Sequence, residues 1–159
     1  MIKITLKIFS AFLPLLMLSH TFAAQNNKPS KDEEAQIYKA AGIKKTAMGW
    51  ESKCSLVHIE TYKDLNNDGR MDAIVRDGGT KCYGATGTGF YILTKQNNHT
   101  WTKILNSKGT PIILPTVGRH GWPDIAIADT STCFPVYRWN GKSYAIDRYE
   151  DKGRACAKR

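Results

Sequence analysis

The hydrophobic pattern of the chain is helical around residue 35 and strand-like from residue 48 onwards. Ser30 and Glu33 have the spacing of a capping box at the start of a helix, and Gly42 is well suited to end it. The apolar face of the helix is formed by Ala35, Ile37, Tyr38 and Ala41. The pattern therefore predicts one N-terminal helix followed by a β domain.

Seven short runs rich in β-branched and aromatic residues predict strands, separated by polar or Gly-containing turns. The predicted strands are 55–61, 73–76, 89–94, 100–105, 125–128, 134–139 and 144–149. Asn140-Gly141 between the last two predicts a hairpin with a type I′ turn.

A repeat relates the two halves of this β region. Residues 69–75 (GRMDAIV) align with residues 121–127 (GWPDIAI), and each copy is followed by a cysteine and an aromatic-rich strand. The alternative is chance similarity between two hairpins. About 135 mature residues support one domain but not a propeller of four blades. We therefore predict a mainly-β domain with two blade-like antiparallel sheet or hairpin repeats, at about residues 60–110 and 112–150, and the helix packed on one side.

The segment 64–72 (DLNNDGRMD) has the pattern of a calcium-binding loop. Oxygen-bearing side chains stand at its positions 1, 3, 5 and 9, a glycine stands at position 6, and a backbone carbonyl is available at position 7. It is not an EF-hand, because position 12 is Val75 instead of glutamate. The alternative is an Asp/Asn-rich turn without metal. The predicted ligands are Asp64, Asn66, Asp68, Arg70 through its carbonyl, and Asp72.

The second copy keeps only one of these ligands. Upstream of Asp124 stand Thr116, Gly118 and His120 in place of aspartate or asparagine. We expect Asp124 to cap or hydrogen-bond a turn and not to bind calcium.

The N-terminus has the features of a secretory signal peptide. Lys3 and Lys7 precede an apolar stretch at 9–18, and small residues at 21 and 23 suit cleavage after Ala23. A retained anchor is the alternative. We expect a signal peptide at 1–23, a flexible leader at 24–29, a single domain at 30–159, and no transmembrane segment in the mature protein, which would be periplasmic or secreted.

The cysteine content agrees with an oxidising compartment. Four cysteines permit three pairings, and the pairing that closes a modest loop in each half of the chain is our prediction. A zinc site is disfavoured because the chain has neither a CxxC pair nor a cysteine at ligand spacing from a histidine. The predicted disulfides are Cys54–Cys82 and Cys133–Cys156.

The charge of the chain suggests an anionic partner. The formal charge of +9 falls to +7 when Lys3 and Lys7 leave with the signal peptide. Export argues against nucleic acid and favours a protein or an anionic envelope component. Solubility alone is the alternative explanation of the charge.

Candidate chemistry outside the loop is sparse. The glycine-rich segment 84–89 and the turn 118–123 are predicted recognition surfaces, with Trp122 partly exposed and His58 facing solvent. No serine-nucleophile motif is present, and an envelope hydrolase would have to use Asp77, Asp124 or Glu60. The candidate recognition residues are Tyr83, Thr86, Thr88, His120 and Trp122.

The calcium loop running into an apolar strand resembles the FG-GAP or VCBS-type repeat of extracellular β proteins. The segments CYGATGTGFYILTK, GWPDIAI and CFPVYRWNGKSY resemble an uncharacterised family of small secreted proteobacterial proteins, over about residues 33–157. This resemblance implies an exported single domain with the same calcium-type loop and four cysteines, and it implies no known activity. We expect a calcium-stabilised, non-enzymatic binding protein, with a periplasmic immunity protein or hydrolase inhibitor as the alternative and a hydrolase less favoured.

Overall fold

The computed structural model describes residues 28–55 and 57–157. The predicted signal peptide lies outside the described residues, as do residues 24–27 of the predicted leader. The elements, in chain order, are α1 (Lys31–Ala41), β1 (Lys44–Thr46), β2 (Gly49–Glu51), β3 (His58–Lys63), β4 (Asp72–Gly78), α2 (Thr80–Tyr83), β5 (Thr88–Lys95), β6 (Trp101–Lys108), β7 (Thr110–Val117), β8 (Pro123–Ala128), β9 (Phe134–Trp139), β10 (Tyr144–Asp151) and β11 (Arg154–Ala155). Short 3-10 turns at Gly84–Thr86 and Arg119–Gly121 precede β5 and β8.

The ends of helix α1 are set by the predicted residues. The Ser30 hydroxyl accepts a hydrogen bond from the Glu33 backbone N–H at 3.3 Å, and Gly42 ends the helix in the left-handed conformation with φ 85°. The other half of the capping box does not form. The Glu33 carboxylate instead accepts hydrogen bonds from Lys95 Nζ at 2.7 Å and Tyr62 Oη at 2.6 Å. Glu33 thereby fastens the helix to the sheet beneath it.

The strands form two antiparallel meanders and one small hairpin. The four-stranded sheet has the order β3-β4-β5-β6, the five-stranded sheet has the order β7-β8-β9-β10-β11, and β1 pairs with β2. Strands β3–β6 cover residues 58–108 and strands β7–β10 cover residues 110–151, so each predicted repeat corresponds to a run of four antiparallel strands. The predicted fold class, mainly β with antiparallel sheets, an N-terminal helix and disulfides, is confirmed.

The two sheets stack so that the inner face of the four-stranded sheet corresponds, in the repeat alignment, to the outer face of the five-stranded sheet. Ile74 on β4 packs between the sheets against Ile125 on β8. The residue aligned with Ile74 in the second repeat is Ala126, which lies on the opposite face of β8 from Ile125 because successive side chains alternate. Asp72 therefore faces the space between the sheets, whereas its counterpart Asp124 lies on the outer face of the five-stranded sheet.

Helix α1 covers the other face of the four-stranded sheet. Ile37 and Tyr38 pack against Ala73, Val75 and Leu93 in a second core cluster. Complete burial of an aliphatic side chain contributes about 1.5–3 kcal/mol, so this layer is a large share of the stability of the first repeat.

Both predicted disulfides form. Cys54 joins Cys82 across 5.7 Å between Cα atoms, which ties the segment after β2 to helix α2. Cys133 joins Cys156 across 6.0 Å, which ties the start of β9 to the end of the described chain. Each bond closes a loop of 28 or 23 residues and stabilises the fold by about 3 kcal/mol.

Several boundaries differ from the prediction. Strand β3 begins at His58 and not at residue 55, and strands β1, β2, β7 and β11 and helix α2 were not predicted. Strand β7 contains Pro111 and Pro115, which argue against a strand in the sequence, but β7 is the edge of its sheet, where proline is tolerated.

The predicted hairpin between β9 and β10 is present, but the prediction of a type I′ turn is wrong. Trp139 pairs with Tyr144, so the loop has four residues instead of two. Gly141 has a positive φ of 102°, whereas Asn140 does not have the positive φ that a type I′ turn requires. The Asn140 side chain instead accepts hydrogen bonds from the backbone N–H groups of Lys142 and Ser143.

Candidate calcium loop and the adjoining surface

The candidate calcium loop closes the hairpin between β3 and β4. Lys63 pairs with Asp72 at its base, so all five predicted ligands lie in this one connection. Two residues of the loop have the left-handed conformation, Asn67 with φ 59° and Gly69 with φ 83°. Glycine adopts this conformation without the steric cost that a Cβ brings, which explains position 6 of the pattern.

The carboxylates of the loop accept hydrogen bonds from its own backbone. Asp64 accepts from the N–H of Asp68 at 3.2 Å and of Gly69 at 2.8 Å. The Asn66 Oδ1 accepts from the Asp68 N–H at 3.3 Å, and Asp68 Oδ1 accepts from the Arg70 N–H at 2.9 Å. The side-chain oxygens of Asp64, Asn66 and Asp68 are therefore turned toward the backbone of their own loop.

The Arg70 side chain neutralises one of these carboxylates. Its guanidinium forms an ion pair with Asp68 and also donates from Nε to the Lys95 carbonyl at 3.0 Å. Both side chains of the pair are partly exposed, so the pair contributes at most about 1 kcal/mol.

Asp72 is the most deeply buried member of the predicted ligand set, in which Asn66 is also buried. It is fully buried, and its Oδ2 accepts a hydrogen bond from the Leu65 N–H at 2.8 Å. Its Oδ1 is buried and accepts no hydrogen bond from the described residues. Burial raises the pKa of Asp72 to about 6; hydrogen bonding from the Leu65 N–H and the Thr94 side chain lowers it in part, and the negative charges of Asp68 and Asp64 raise it further. A buried carboxylate oxygen without a partner is costly in free energy.

The donor chemistry of the loop fits a hard cation, although its side chains are turned to other partners. Carboxylate, amide and carbonyl oxygens are the ligands that calcium takes. Among residues 28–55 and 57–157, no three Asp, Glu, His or Cys side chains are arranged to hold a metal ion. Asp68 faces Arg70, and Asp64 faces the backbone, so a cation would replace these partners.

The aligned carboxylate in the second repeat has arginine partners instead. Asp124 is fully buried and accepts hydrogen bonds from Arg138, from Arg148 at 2.9 Å and from the Thr116 hydroxyl at 2.6 Å. Burial alone would raise the pKa of Asp124, but the hydrogen bonds from Arg138, Thr116 and Arg148 outweigh it and lower the pKa to about 2. Asp124 thus makes hydrogen bonds, but to side chains of β7, β9 and β10 and not to a turn as predicted.

A second turn lies directly against the candidate calcium loop. A Cβ on Gly121 would lie 2.6 Å from the Asn66 carbonyl oxygen, so this turn touches the backbone of the loop. His120 has a positive φ of 56°, and both Arg119 and His120 are exposed. The turn therefore presents two basic side chains at the surface beside the loop.

The prediction that Trp122 is partly exposed is wrong. Its side chain is only 5% exposed, because the stacked sheets enclose it. The Trp122 ring lies 5.7 Å from the Trp139 ring and 6.2 Å from the Tyr144 ring, and it shares a core cluster with Leu65 of the candidate calcium loop. Trp122 is a packing residue beneath the surface turn.

A cavity of about 450 Å³ opens next to this turn. Its apolar lining includes Val117 and Ile146, which are 57% and 50% exposed. Arg119 and Arg138 line the same cavity.

The predicted recognition residues of the glycine-rich segment make their contacts within the protein. A Cβ on Gly89 would lie 2.2 Å from the Tyr83 ring, so the glycine lets this ring lie on β5. The Tyr83 hydroxyl donates to the buried Asp77 carboxylate at 2.8 Å. Thr86 donates to the Tyr83 carbonyl at 2.7 Å, and Thr88 donates to the Asp77 carbonyl at 3.2 Å. These side chains stabilise the loop that carries the first disulfide.

The carboxylates considered for hydrolysis each have partners within the protein. Asp77 and Asp124 belong to different sheets. Asp77 accepts from Ser52, Tyr83 and Tyr91, whereas Glu60 forms an ion pair with Arg76 at 2.9 Å. The predicted exposure of His58 is confirmed.

When the chain is compared with protein families, curated proteins and solved structures, it matches none. Within the described part of the chain, every helix is too short or too polar to cross a membrane.

Proposed function

We propose that the protein is an exported, calcium-stabilised binding module of the periplasm or cell exterior, without enzymatic activity. The observation that carries this proposal is the buried Asp72, whose Oδ1 has no hydrogen-bond partner among the described residues and whose other oxygen binds the backbone of the candidate loop. Calcium would be held by the side chains of Asp64, Asn66, Asp68 and Asp72 and by the Arg70 carbonyl.

The second repeat supports the need for a positive charge at this position. Its aligned carboxylate, Asp124, is equally buried and is neutralised by Arg138 and Arg148. Asp72 faces Thr94 across the sheet, which supplies no charge. A bound cation would supply at Asp72 the positive charge that the arginines supply at Asp124.

Calcium in this role would fix the shape of the loop and perform no chemistry. Loops that bind calcium in extracellular modules do so at about 10⁻⁴–10⁻³ M, a concentration range found outside the cell and not in the cytosol. The two disulfides support the same compartment, since such bonds persist where the surroundings are oxidising. A protein or an anionic envelope component is the proposed partner, in keeping with the positive charge of the chain.

A second candidate function is inhibition of a secreted toxin or cell-wall hydrolase, as an immunity protein does. The observation that favours it is the exposed pair Arg119 and His120 on a turn held rigidly by two close backbone contacts. An exposed basic turn suits an acidic active-site cleft. Protection of cells or enzyme inhibition assays against a toxin encoded beside this gene would distinguish this function from simple docking.

The calcium proposal is tested by isothermal titration of the full-length mature protein with calcium. We expect one site, and we expect Asp72→Asn to weaken binding about tenfold or more because it removes the buried charge. Asp147→Asn is the matched control, since Asp147 is exposed and lies on β10 in the other sheet. Equal calcium affinity of the wild type and Asp72→Asn would reject the proposed ligand set.

A further inference from the structure

We infer that the turn around Arg119 and His120 is the recognition element of this module, that it takes an acidic segment of a protein partner, and that the calcium loop controls its position. This inference rests on the proposed function and adds the partner class and the regulation.

The contact between the loops is backbone against backbone. The space where Gly121 would carry a Cβ is filled by the Asn66 carbonyl oxygen, 2.6 Å away. Asn66 is also a predicted calcium ligand, and the neighbouring Leu65 packs in the same cluster as Trp122. A shift of the Asn66 peptide on binding calcium is therefore transmitted to Gly121 without an intervening side chain that could absorb it.

The other end of the turn is fixed to the second sheet. A Cβ on Gly118 would lie 2.6 Å from the Trp139 carbonyl oxygen, and the Gly118 N–H donates to the Trp122 carbonyl at 2.8 Å. Arg119 and His120 thus stand on a short turn clamped between the calcium loop and the end of β9. His120 keeps its positive φ in this position, a conformation that costs a residue with a Cβ about 1 kcal/mol.

The surface beside the turn combines a cavity of mixed apolar and polar lining with free positive charge. Val117 and Ile146 are both at least half exposed and line the cavity of about 450 Å³. Arg119 and Lys142 are exposed and form no ion pair with the described residues. The acidic residue of the cavity wall, Asp147, is neutralised by Arg148 at 2.9 Å.

These features favour an acidic peptide segment over a membrane. A carboxylate of the partner fits Arg119, and an aliphatic side chain fits the cavity between Val117 and Ile146. A bilayer presents a flat surface and would require a protruding apolar tip, whereas here the apolar side chains line a concavity.

The experiment uses the mature protein and a fluorescein-labelled peptide of alternating glutamate and leucine, with a lysine–leucine peptide and phosphatidylglycerol vesicles as competing probes. Anisotropy is measured in millimolar calcium and in chelator. We expect the acidic peptide to bind, and the lysine–leucine peptide and the vesicles not to bind. Chelation of calcium should weaken binding of the acidic peptide several-fold, and Arg119→Glu should weaken it about tenfold. Lys108→Glu is the matched control, because Lys108 is exposed on β6 in the other sheet.

A second readout separates this inference from the calcium proposal. The amide resonances of Arg119 and Gly121 are followed by NMR during calcium titration, with calcium binding measured independently by calorimetry. Movement of these resonances in step with binding supports the coupling. Calcium binding that leaves them unmoved overturns the coupling but leaves the calcium site standing, whereas a lack of calcium binding overturns the proposed function itself. Binding of the vesicles in preference to the acidic peptide, or equal peptide binding by Arg119→Glu, overturns the recognition surface.

Discussion

Arg138 donates two hydrogen bonds to the buried carboxylate of Asp124, from Nε to Oδ1 at 3.0 Å and from Nη2 to Oδ2 at 2.7 Å. This fork-shaped pair is the geometry in which arginine binds carboxylate most strongly. The same position in the first repeat is occupied by Asp72, which faces Thr94 and has no arginine partner among residues 28–55 and 57–157. The two repeats therefore keep the carboxylate and differ in what neutralises it, arginine in one and, in our proposal, calcium in the other.

Arg138→Met should destabilise the fold, because it leaves a fully buried carboxylate with fewer positive partners. Breaking a buried pair costs about 3–5 kcal/mol, and since Arg148 remains in place we expect about 2 kcal/mol. Urea unfolding measures this change. In the double variant Arg138→Met with Asp124→Asn, part of the loss should be recovered, and strictly additive losses would contradict the pairing.

The stability of the protein should fall in acid partly through Asp124. Its pKa in the folded state is about 2, below the ordinary value of 3.8, so its contribution is fully present above pH 3.8 and is lost as the pH falls through 2. The shift corresponds to at most about 2 kcal/mol. The stability difference between wild type and Asp124→Asn, measured by thermal melts, should shrink between pH 4 and pH 2. A difference that stays constant over this range would contradict the depressed pKa.

Arg70→Gln should strengthen calcium binding. The Arg70 guanidinium pairs with Asp68, so calcium has to displace it, whereas the Arg70 carbonyl remains available in the variant. Removing this exposed competitor should raise the affinity about two- to fivefold, in line with the small free energy of such pairs. Calorimetry measures the affinity, and Arg154→Gln at the exposed β11 is the control. Weaker binding by Arg70→Gln would show that the side chain supports the site.

Gly89→Ala should destabilise the protein through Tyr83. The new methyl group would meet the Tyr83 ring at 2.2 Å and push its hydroxyl away from Asp77, at a cost of about 1–3 kcal/mol. In a Tyr83→Ala background the same substitution should cost much less. Chemical denaturation of the four proteins in this cycle tests the contact, and equal costs in the two backgrounds would disprove it.

The parts of the molecule that were predictable are those encoded by local spacing. Ser30 and Gly42 mark the ends of the helix, the alternation of apolar residues marks most strands, and the cysteine spacing led to the pairing that the structure contains. Each of these signals acts within a few residues or follows from the compartment of the protein, so a single sequence is sufficient.

The parts that were missed depend on how the sheets stack. Arg148 reaches Asp124 across a register shift between Ile146 and Arg148, which no spacing in the sequence reveals. Trp122 stands between glycine and proline in what reads as an exposed turn, yet the second sheet packs it against the first. The contact of Gly121 with Asn66 joins residues of the two repeats and is visible only in the folded protein.

The central claim is that the loop at residues 64–72 binds calcium, and thermal melting of wild type, Asp68→Ala and Asp124→Ala in millimolar calcium and in chelator tests it most directly. A ligand that binds only the native state stabilises it by RT ln(1 + [Ca]/Kd), so a tenfold excess over a Kd of about 10⁻⁴ M gives about 1.4 kcal/mol. We expect calcium to raise the melting temperature of the wild type and of Asp124→Ala, although the latter melts lower throughout, and to leave Asp68→Ala unchanged. If wild type and Asp68→Ala respond identically to calcium and chelator, the loop is a polar turn neutralised by Arg70 and the claim is contradicted.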